Sequence, residues 1–148
     1  MAPRPLVVDA SVVLKWQLED EEAVAQALAL RDDFLLRGRV SLVAPFLLIY
    51  EITNGLLAAT RQGRLSRDQA EEGLALLLAV GIRLMAVDPS QMFSLSMRWR
   101  LSAYDGAYLG LAEKLNGEVW TGDRAFYAAC RGKRSRVRWI GDYRPASR

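Results

Sequence analysis

The sequence predicts a single α/β domain in which a mostly parallel sheet of four or five short strands is flanked by helices. Short apolar runs of strand length alternate with longer helical stretches along the chain, a pattern typical of parallel sheets with helical crossovers. The 148 residues match one ordinary domain, spanning 1–148, and we find no repeat, linker or low-complexity segment that would divide it.

The order of the elements follows from apolar runs and helix end signals. We expect strands at 6–8, 41–44, 83–87, 118–121 and, at one edge, 137–140. Helices are expected at about 10–16, 20–36, 46–61, 66–80, 88–101, 102–116 and 124–131. Asp9 and Asp123 therefore lie at the carboxyl ends of two strands, at the sheet edge where open α/β proteins place their sites.

Several helix ends carry recognisable capping residues. Ser66–Gln69 matches a capping box, and Asp88–Pro89 has the acceptor and the proline of a helix start. We expect Pro45 at the first position of the third helix, Asp20–Glu22 in the first turn of the second, and a helix C-cap at Asn116–Gly117. The acids in these caps are assigned to structure and not to catalysis.

The third helix carries one unusual charge. It is apolar almost all round, which predicts a buried helix, yet Glu51 lies in it with no basic residue three or four positions away. A lone buried carboxylate is costly, so Glu51 needs a partner from elsewhere, and a metal ion is one candidate. The alternative is that Glu51 faces solvent or meets a distant arginine.

Asp105 has a simple structural explanation as well. Ser102 and Asp105 have the spacing of a capping box, so Asp105 could do no more than stabilise the start of its helix. The same helix contains Gly106 and Gly110, each costing about 1 kcal/mol relative to alanine. We therefore expect one face of this helix to pack closely on the sheet, with Tyr108 as a core or rim aromatic.

Two features of the composition restrict the chemistry. The chain has no histidine, which excludes a Ser-His-Asp triad, a Cys-His pair, an HExxH zinc site and a histidine base. Its single cysteine, Cys130, excludes an internal disulfide and a cysteine-rich metal site, and is expected to be a buried or half-buried thiol. Carboxylates, hydroxyls, Lys, Arg and oxygen-bound metals such as Mg²⁺ or Mn²⁺ remain.

The net charge of +3 is unevenly distributed. Basic residues crowd the last segment against the single acid Asp142, namely Arg131, Lys133, Arg134, Arg136, Arg138, Arg144 and Arg148. Such a segment attracts nucleic acid or forms a solvated terminal face, and charge alone does not separate the two. The longest uncharged run, 40–50, is shorter than a membrane span of about 20 residues, and Met1–Pro5 does not begin a signal peptide. We expect a cytoplasmic protein with no membrane partner.

Four acids, Asp9, Glu51, Asp105 and Asp123, are predicted to meet in one cleft. Two follow strands, one begins a helix, and Glu51 lies about 9 Å along a helix that follows a strand. Two charges ~4 Å apart repel by about 4 kcal/mol at an effective dielectric of about 20, so either some are protonated or a divalent cation neutralises them. An all-oxygen site suits Mg²⁺ or Mn²⁺ and reactions at phosphorus. The residues thus indicate phosphoryl chemistry without identifying the substrate.

Four segments in this order resemble the PIN-domain ribonucleases and, more narrowly, the VapC-type toxins of toxin–antitoxin pairs. They are Val7–Ser11, Pro45 with Tyr50–Asn54, Tyr104–Tyr108 and Thr121–Asp123. The resemblance covers about residues 6–140 and implies a PIN-like domain with Mg²⁺- or Mn²⁺-dependent endoribonuclease activity on single-stranded or loop RNA. It also implies a homodimer and an antitoxin that blocks the cleft, for which the apolar helices around 46–57 and 74–80 could supply surfaces.

By position, the resemblance implies that Asp9, Glu51, Asp105 and Asp123 are the metal-binding and catalytic acids. We expect Asp9 and Asp105 to hold the principal metal, and the other two to complete the site and help deprotonate the attacking water. Supporting polar residues are expected at Ser11, Asn54 and Thr121, and phosphate contacts at Lys15, Arg98 and Arg124. The family's usual alanine after the third acid is Gly106 here, a mild departure.

Two other functions fit part of the pattern. A response-regulator receiver or a phosphatase would also gather acids at strand ends, but it would need a suitably placed late lysine, and Lys114 lies mid-helix and Lys133 in a loop. A PIN-like scaffold could bind RNA or a protein without cutting, although the presence of all four acids argues against it.

Overall fold

The computed structural model describes residues 2–132 and 134–145, which contain one sheet of five strands. The strands are β1 (Arg4–Val8), β2 (Val40–Pro45), β3 (Arg83–Met85), β4 (Val119–Thr121) and β5 (Val137–Trp139). The helices in this range are α1 (Ala10–Leu14), α2 (Val24–Leu35), α3 (Leu47–Arg61), α4 (Arg67–Ala79), α5 (Pro89–Trp99), α6 (Ala103–Lys114) and α7 (Arg124–Ala129), and a 3₁₀ turn, Ile140–Asp142, follows β5. Lys133 and Arg148 of the basic segment lie outside the described residues.

The strand order is β3-β2-β1-β4-β5, and every neighbouring pair is parallel. This confirms the predicted α/β class and the edge position of β5. The chain moves outward from β1 through β2 to β3 and then returns to place β4 on the other side of β1. The carboxyl ends of β1 and β4 therefore bound the point where the strand order reverses, which is where open α/β sheets form their clefts.

The centre of the core is β1. Its last three residues, Leu6, Val7 and Val8, are at most 1% exposed, because α6 packs on β1 and β2 while β4 and β2 flank it. A parallel strand buried on both faces requires apolar residues at consecutive positions. Burying each such side chain contributes about 1.5–3 kcal/mol to the stability of the fold.

Among the described residues no helix combines the length and apolar character that a bilayer span requires.

The helix caps are largely as predicted. The Ser66 hydroxyl accepts the N–H of Gln69 at 3.1 Å and the Gln69 side chain accepts the N–H of Ser66 at 2.9 Å, which completes the capping box of α4. Asp88 caps α5 through the N–H of Ser90 at 3.0 Å. At the end of α6 the left-handed residue is Asn116, with φ 51°, and not Gly117.

Two predicted helix starts are wrong. Asp20–Glu22 lie in the turn before α2, which begins only at Val24, and in that turn Asp20 and Glu21 form ion pairs with Arg64 at 2.7 and 3.3 Å. Pro45 is the last residue of β2 and not the first of a helix. The proline terminates strand pairing there, since it has no N–H to donate.

Two packing predictions also need correction. The α3 helix is not buried all round, because its outer face leaves Tyr50 73% and Leu57 43% exposed. The two glycines of α6 face α5 and the residues just before it, and not the sheet. A methyl group at Gly106 would collide with Ser96 of α5, and one at Gly110 would lie 3.0 Å from Val87 and 3.7 Å from Leu95 of α5. The close approach of α6 to α5 therefore compensates for the low helix propensity of these two glycines.

Candidate active site

Asp9 lies at the carboxyl end of β1 and begins α1. Its N–H donates to the Trp120 carbonyl at 3.1 Å, which ties β1 to β4. The buried carboxylate accepts hydrogen bonds at Oδ2 from Thr121 Oγ1 at 2.6 Å and Ser11 Oγ at 3.0 Å. Burial still raises the pKa of Asp9, because these two hydroxyl donors favour the ionised form but only partly offset desolvation.

The same two hydroxyls fix the loop after β4, which carries Asp123. Ser11 Oγ accepts the N–H of Gly122 at 2.8 Å, and Thr121 Oγ1 accepts the N–H of Asp123 at 3.0 Å. Asp123 in turn is the N-cap of α7: its Oδ1 accepts from the backbone N–H groups two and three residues further on, at 2.9 and 3.1 Å. Its Oδ2 takes no hydrogen bond from the described residues, so one oxygen is available.

Glu51 is half-buried on α3, and its partner is a tyrosine. Its Oε1 accepts a hydrogen bond from Tyr108 Oη on α6 at 2.7 Å, and no arginine or lysine of the described chain forms an ion pair with it. Burial, followed by the negative charges of Asp9 and Asp123, raises the pKa of Glu51 against the lowering effect of Tyr108. The distant arginine considered from the sequence is therefore not observed in this range.

Asp105 lies in the first turn of α6 and does not use its carboxylate as a cap. Ser102 Oγ accepts the N–H of Asp105 at 3.1 Å, as predicted, but within the described chain no hydrogen bond or ion pair reaches the Asp105 side chain. Burial, and then the charges of Asp9, Asp123 and Glu51, raise the pKa of Asp105 to about 7. This is the least compensated carboxylate of the four.

The four acids predicted to meet thus share one electrostatic field, since Asp9 and Asp123 raise the pKa of both Glu51 and Asp105. They do not close tightly around one point. Over residues 2–132 and 134–145, no three His, Cys, Asp or Glu side chains are close enough together to form a ready-made metal site. The four side chains carry surplus negative charge without forming a dedicated cation cage in this part of the chain.

The chemistry of these donors fits Mg²⁺ or Mn²⁺. Both ions prefer oxygen ligands and keep several bound waters, so they need only one or two direct carboxylates. The unpartnered half-buried carboxylate of Asp105 and the free Oδ2 of Asp123 are the oxygens that a cation would neutralise first. Uncompensated carboxylates without a closed cage are compatible with such partly hydrated binding.

Two further predicted site residues, Lys15 and Asn54, lie near the acids but differ in exposure. Lys15 is buried beside the Asp123 loop, where a methyl group at Gly122 would lie 2.6 Å from Lys15 Cε. Asn54 is exposed on α3 and lines a hollow next to Glu51.

Two predicted phosphate contacts are engaged elsewhere. Arg124 donates from Nε and Nη2 to Glu22, both at 2.8 Å, and lies over the Trp139 ring at 4.6 Å. Arg98 lies over Trp99 at 5.4 Å, in a groove that none of the four acids lines.

Two buried polar groups escaped the sequence analysis. Tyr108 is in the core as expected, but its hydroxyl positions Glu51. It follows Asp105 by three positions on α6, so helical spacing is the signal that could have identified it. Asp33 is fully buried and accepts from Tyr143 Oη at 2.6 Å and Arg37 Nη1 at 3.0 Å. Arg37, four positions further on, is a local signal that could have marked Asp33, whereas Tyr143 is distant in sequence.

Cys130 is a buried free thiol, as expected. Its pKa is raised to about 11 by burial and by the charge of Asp105. The thiol therefore stays protonated at neutral pH and does not supply a thiolate ligand.

Comparison with known proteins gives a consistent result. The PIN domain model matches residues 6–132. Ribonuclease VapC3 of Pyrobaculum aerophilum is 32% identical over 129 residues, covering 80% of this chain and 89% of that protein. The crystal structure of PAE2754 from Pyrobaculum aerophilum has a TM-score of 0.67 and 26% identity, covering 95% of this chain and 85% of that one. The chain belongs to the PIN-domain family and is similar to its VapC-type ribonucleases.

Proposed function

We propose that this protein is a metal-dependent endoribonuclease that hydrolyses RNA phosphodiester bonds and serves as the toxin of a toxin–antitoxin pair. The observation that carries the proposal is the shared field of four carboxylates from four separate segments, in which Asp105 is held near pKa 7 without a partner. The similarity to a protein named Ribonuclease VapC3 supports the substrate class.

In this proposal Asp9 and Asp105 would hold Mg²⁺ or Mn²⁺, with Asp123 and Glu51 completing the site. The ion, when bound, supplies charge stabilisation at phosphorus and activation of water. Ser11 and Thr121 hold the Asp9 carboxylate and the Asp123 loop in place through the bonds described above.

The proton acceptor in this scheme is Glu51. Tyr108 orients it, and its raised pKa makes it a better base than a solvent-exposed glutamate. It would receive the proton of the attacking water.

The test is cleavage of a fluorescent single-stranded RNA by the purified protein. We expect cleavage with Mg²⁺ or Mn²⁺, and loss of at least 100-fold with EDTA, with Asp9→Asn and with Asp105→Asn. The matched control is Glu72→Gln, which removes an exposed acid on α4 outside the cleft. Cleavage that survives both chelation and the two substitutions overturns the proposal.

The lack of a ready-made three-ligand metal site among the described residues favours one alternative, a PIN-like scaffold that binds RNA or protein without cutting. It predicts RNA binding with no cleavage and no heat of Mg²⁺ binding by calorimetry. Cleavage that depends on Asp105 rejects this alternative.

The proposed partners are an antitoxin and a second copy of the chain, in the cytoplasm. Exposed apolar side chains support them: Leu57, Leu76 and Leu78 on α3 and α4, and Phe93 and Met97 on α5. An apolar groove of about 410 Å³ between α3 and α4 is lined in part by Leu57 and Leu74. Light scattering of the purified protein, alone and co-expressed with the product of the adjacent reading frame, tests both partners.

A further inference from the structure

A groove rich in arginine lies at the end of the sheet away from the acids. It has a volume of about 460 Å³ and is bounded by the start of β1, the end of α6 and the segment before β5. Its charged lining residues among those described are Arg4, Arg134, Arg136, Arg138 and Glu118. A second hollow of about 250 Å³ shares Arg134, Ser135 and Arg136 with it, and its further charged and aromatic lining residues are Arg98, Trp99 and Glu113. We refer to these two connected hollows as the arginine groove.

The arginine groove is separate from the acidic cleft. Glu118, in the groove, immediately precedes β4, and Asp123, in the cleft, follows β4. Five residues of extended chain span about 16 Å at ~3.3 Å per residue. None of the four acids lines the groove, so its function is not part of the reaction site.

One arginine of the groove is held in place by neutral acceptors. Arg136 donates from Nη1 to the Gly117 carbonyl at 3.2 Å and from Nη2 to Asn116 Oδ1 at 3.0 Å. These bonds fix the guanidinium without cancelling its charge. An ordered cation of this kind loses less side-chain entropy when it binds an anion.

Few carboxylates compensate the positive charge of the other arginines in the groove. Arg138 donates to the Ser135 carbonyl at 2.7 Å and approaches Glu118 only to 3.9 Å. In the part of the chain that the structure describes, no carboxylate forms an ion pair with Arg4 or Arg134. Five arginines against Glu113 and Glu118 leave the groove with surplus positive charge.

We propose that the arginine groove is a second RNA-binding site, which takes the sugar–phosphate backbone of a strand on the side of the protein opposite the cleft. Guanidinium groups bind phosphate oxygens in a bidentate manner. The half-buried ring of Trp99, beside Arg98, adds the aromatic and cationic combination typical of single-strand channels. The choice of RNA as the anion rests on the proposed function; the binding itself requires no cleavage.

The test measures RNA binding by fluorescence anisotropy with a 20-nucleotide single strand over a range of salt concentrations. The variant Arg4→Gln/Arg134→Gln is made in the Asp9→Asn background, so that the RNA stays intact, and Arg136 is left because it ties two backbone segments together. We expect binding at least fivefold weaker. The slope of log affinity against log salt should fall by about 1.4, since each phosphate contact to a single strand contributes about 0.7.

Two control variants make the result specific. Arg83→Gln removes an exposed arginine on β3, at the opposite sheet edge, and should leave affinity and slope unchanged. Arg4→Lys/Arg134→Lys retains the charge and should recover the slope. Unchanged melting midpoints show that the variants are folded.

The outcomes separate this inference from the proposed function. If the wild-type protein cuts no RNA but the groove variant loses RNA binding, the proposal of an RNA-binding groove is supported and the proposed ribonuclease activity is rejected. If the groove variant keeps its affinity and salt slope, the groove proposal is overturned even where cleavage is intact. A poly-glutamate peptide that binds the groove while RNA binding is unaffected also overturns it, in favour of an acidic protein partner.

Discussion

The phenol of Tyr108 donates to the Glu51 carboxylate at 2.7 Å and so joins α6 to α3 beside the acidic cleft. The ring is fully buried. Burial, and then the charges of Asp9 and Glu51, raise the pKa of Tyr108, so its hydroxyl remains a donor throughout the working pH range. Glu51 therefore enters the cleft with a fixed orientation.

Removing this hydroxyl with Tyr108→Phe should lower the free energy of unfolding by about 1 kcal/mol, the typical net value of a hydrogen bond. It should also reduce kcat for RNA cleavage with KM little changed, because Glu51 loses its orientation. Urea denaturation and steady-state kinetics measure the two effects. A double-mutant cycle with Glu51→Gln is the control: strictly additive effects would show that the pair is not coupled.

The raised pKa of Asp105 predicts an unusual pH dependence of stability without metal. Between its ordinary pKa of 3.8 and about 7, the folded protein holds a proton that the unfolded chain has released. Stability of the folded state therefore falls as pH rises through this window and levels off above it. Asp9 and Glu51, whose pKa values are also raised, act in the same direction.

Thermal melts in EDTA at pH 5 and pH 8 measure this effect, and addition of Mg²⁺ at pH 8 should restore the midpoint. Comparison of the wild-type protein with Asp105→Asn isolates the Asp105 contribution from that of other groups. A wild-type midpoint that changes with pH no more than the midpoint of Asp105→Asn contradicts the assignment.

Asp105→Asn should therefore separate stability from activity. In EDTA at pH 8 we expect the variant to be more stable by about 2 kcal/mol, since a pKa unit corresponds to about 1.4 kcal/mol and solvent partly screens this half-buried site. RNA cleavage in Mg²⁺ should fall at least 100-fold. Glu72→Gln, the exposed control on α4, should change neither. A variant that is both less stable and inactive would indicate that Asp105 supports the fold.

The mutual electrostatic influence of the four acids was partly predictable, because parallel α/β topology brings strand ends and helix starts to one edge of the sheet. Asp9 immediately follows β1 and Asp123 lies two residues after the end of the neighbouring strand β4, so their positions follow from the strand boundaries alone. Asp105 follows from the helix start that Ser102 caps. In each case a short-range signal places the residue, and the sheet then brings the segments together.

Other features depend on contacts that a single sequence does not reveal. The apolar residues Tyr50 and Leu57 favour a buried α3 in the sequence, yet both are exposed in the structure. The prediction failed because apolar composition does not distinguish a core face from a surface patch. The buried Asp33 requires Tyr143, which is 110 positions away. Gly106 was predicted to face the sheet, but whether a small residue faces a sheet or a neighbouring helix is decided by tertiary packing.

Gly122 and Lys15 provide a test of the predicted phosphate contact. A methyl group at residue 122 would lie 2.6 Å from Lys15 Cε, so Gly122→Ala must displace the lysine tip. Because Lys15 is buried, this overpacking should cost about 1–3 kcal/mol in stability. Gly122→Ala and Lys15→Met should each reduce kcat/KM about tenfold, and the double variant should be no worse than either. Fully multiplicative losses would show that the two substitutions act independently.

The ion pair between Arg124 and Glu22 tests the second predicted phosphate contact. Both side chains are exposed and form a bidentate pair at 2.8 Å, so Glu22→Gln should leave the melting midpoint nearly unchanged. It frees a guanidinium next to the Asp123 loop and should lower KM for RNA two- to threefold at low salt, with the gain lost at high salt. Arg124→Gln should raise KM and abolish the effect of Glu22→Gln. If Glu22→Gln acts equally with and without Arg124, then Arg124 is not a substrate contact.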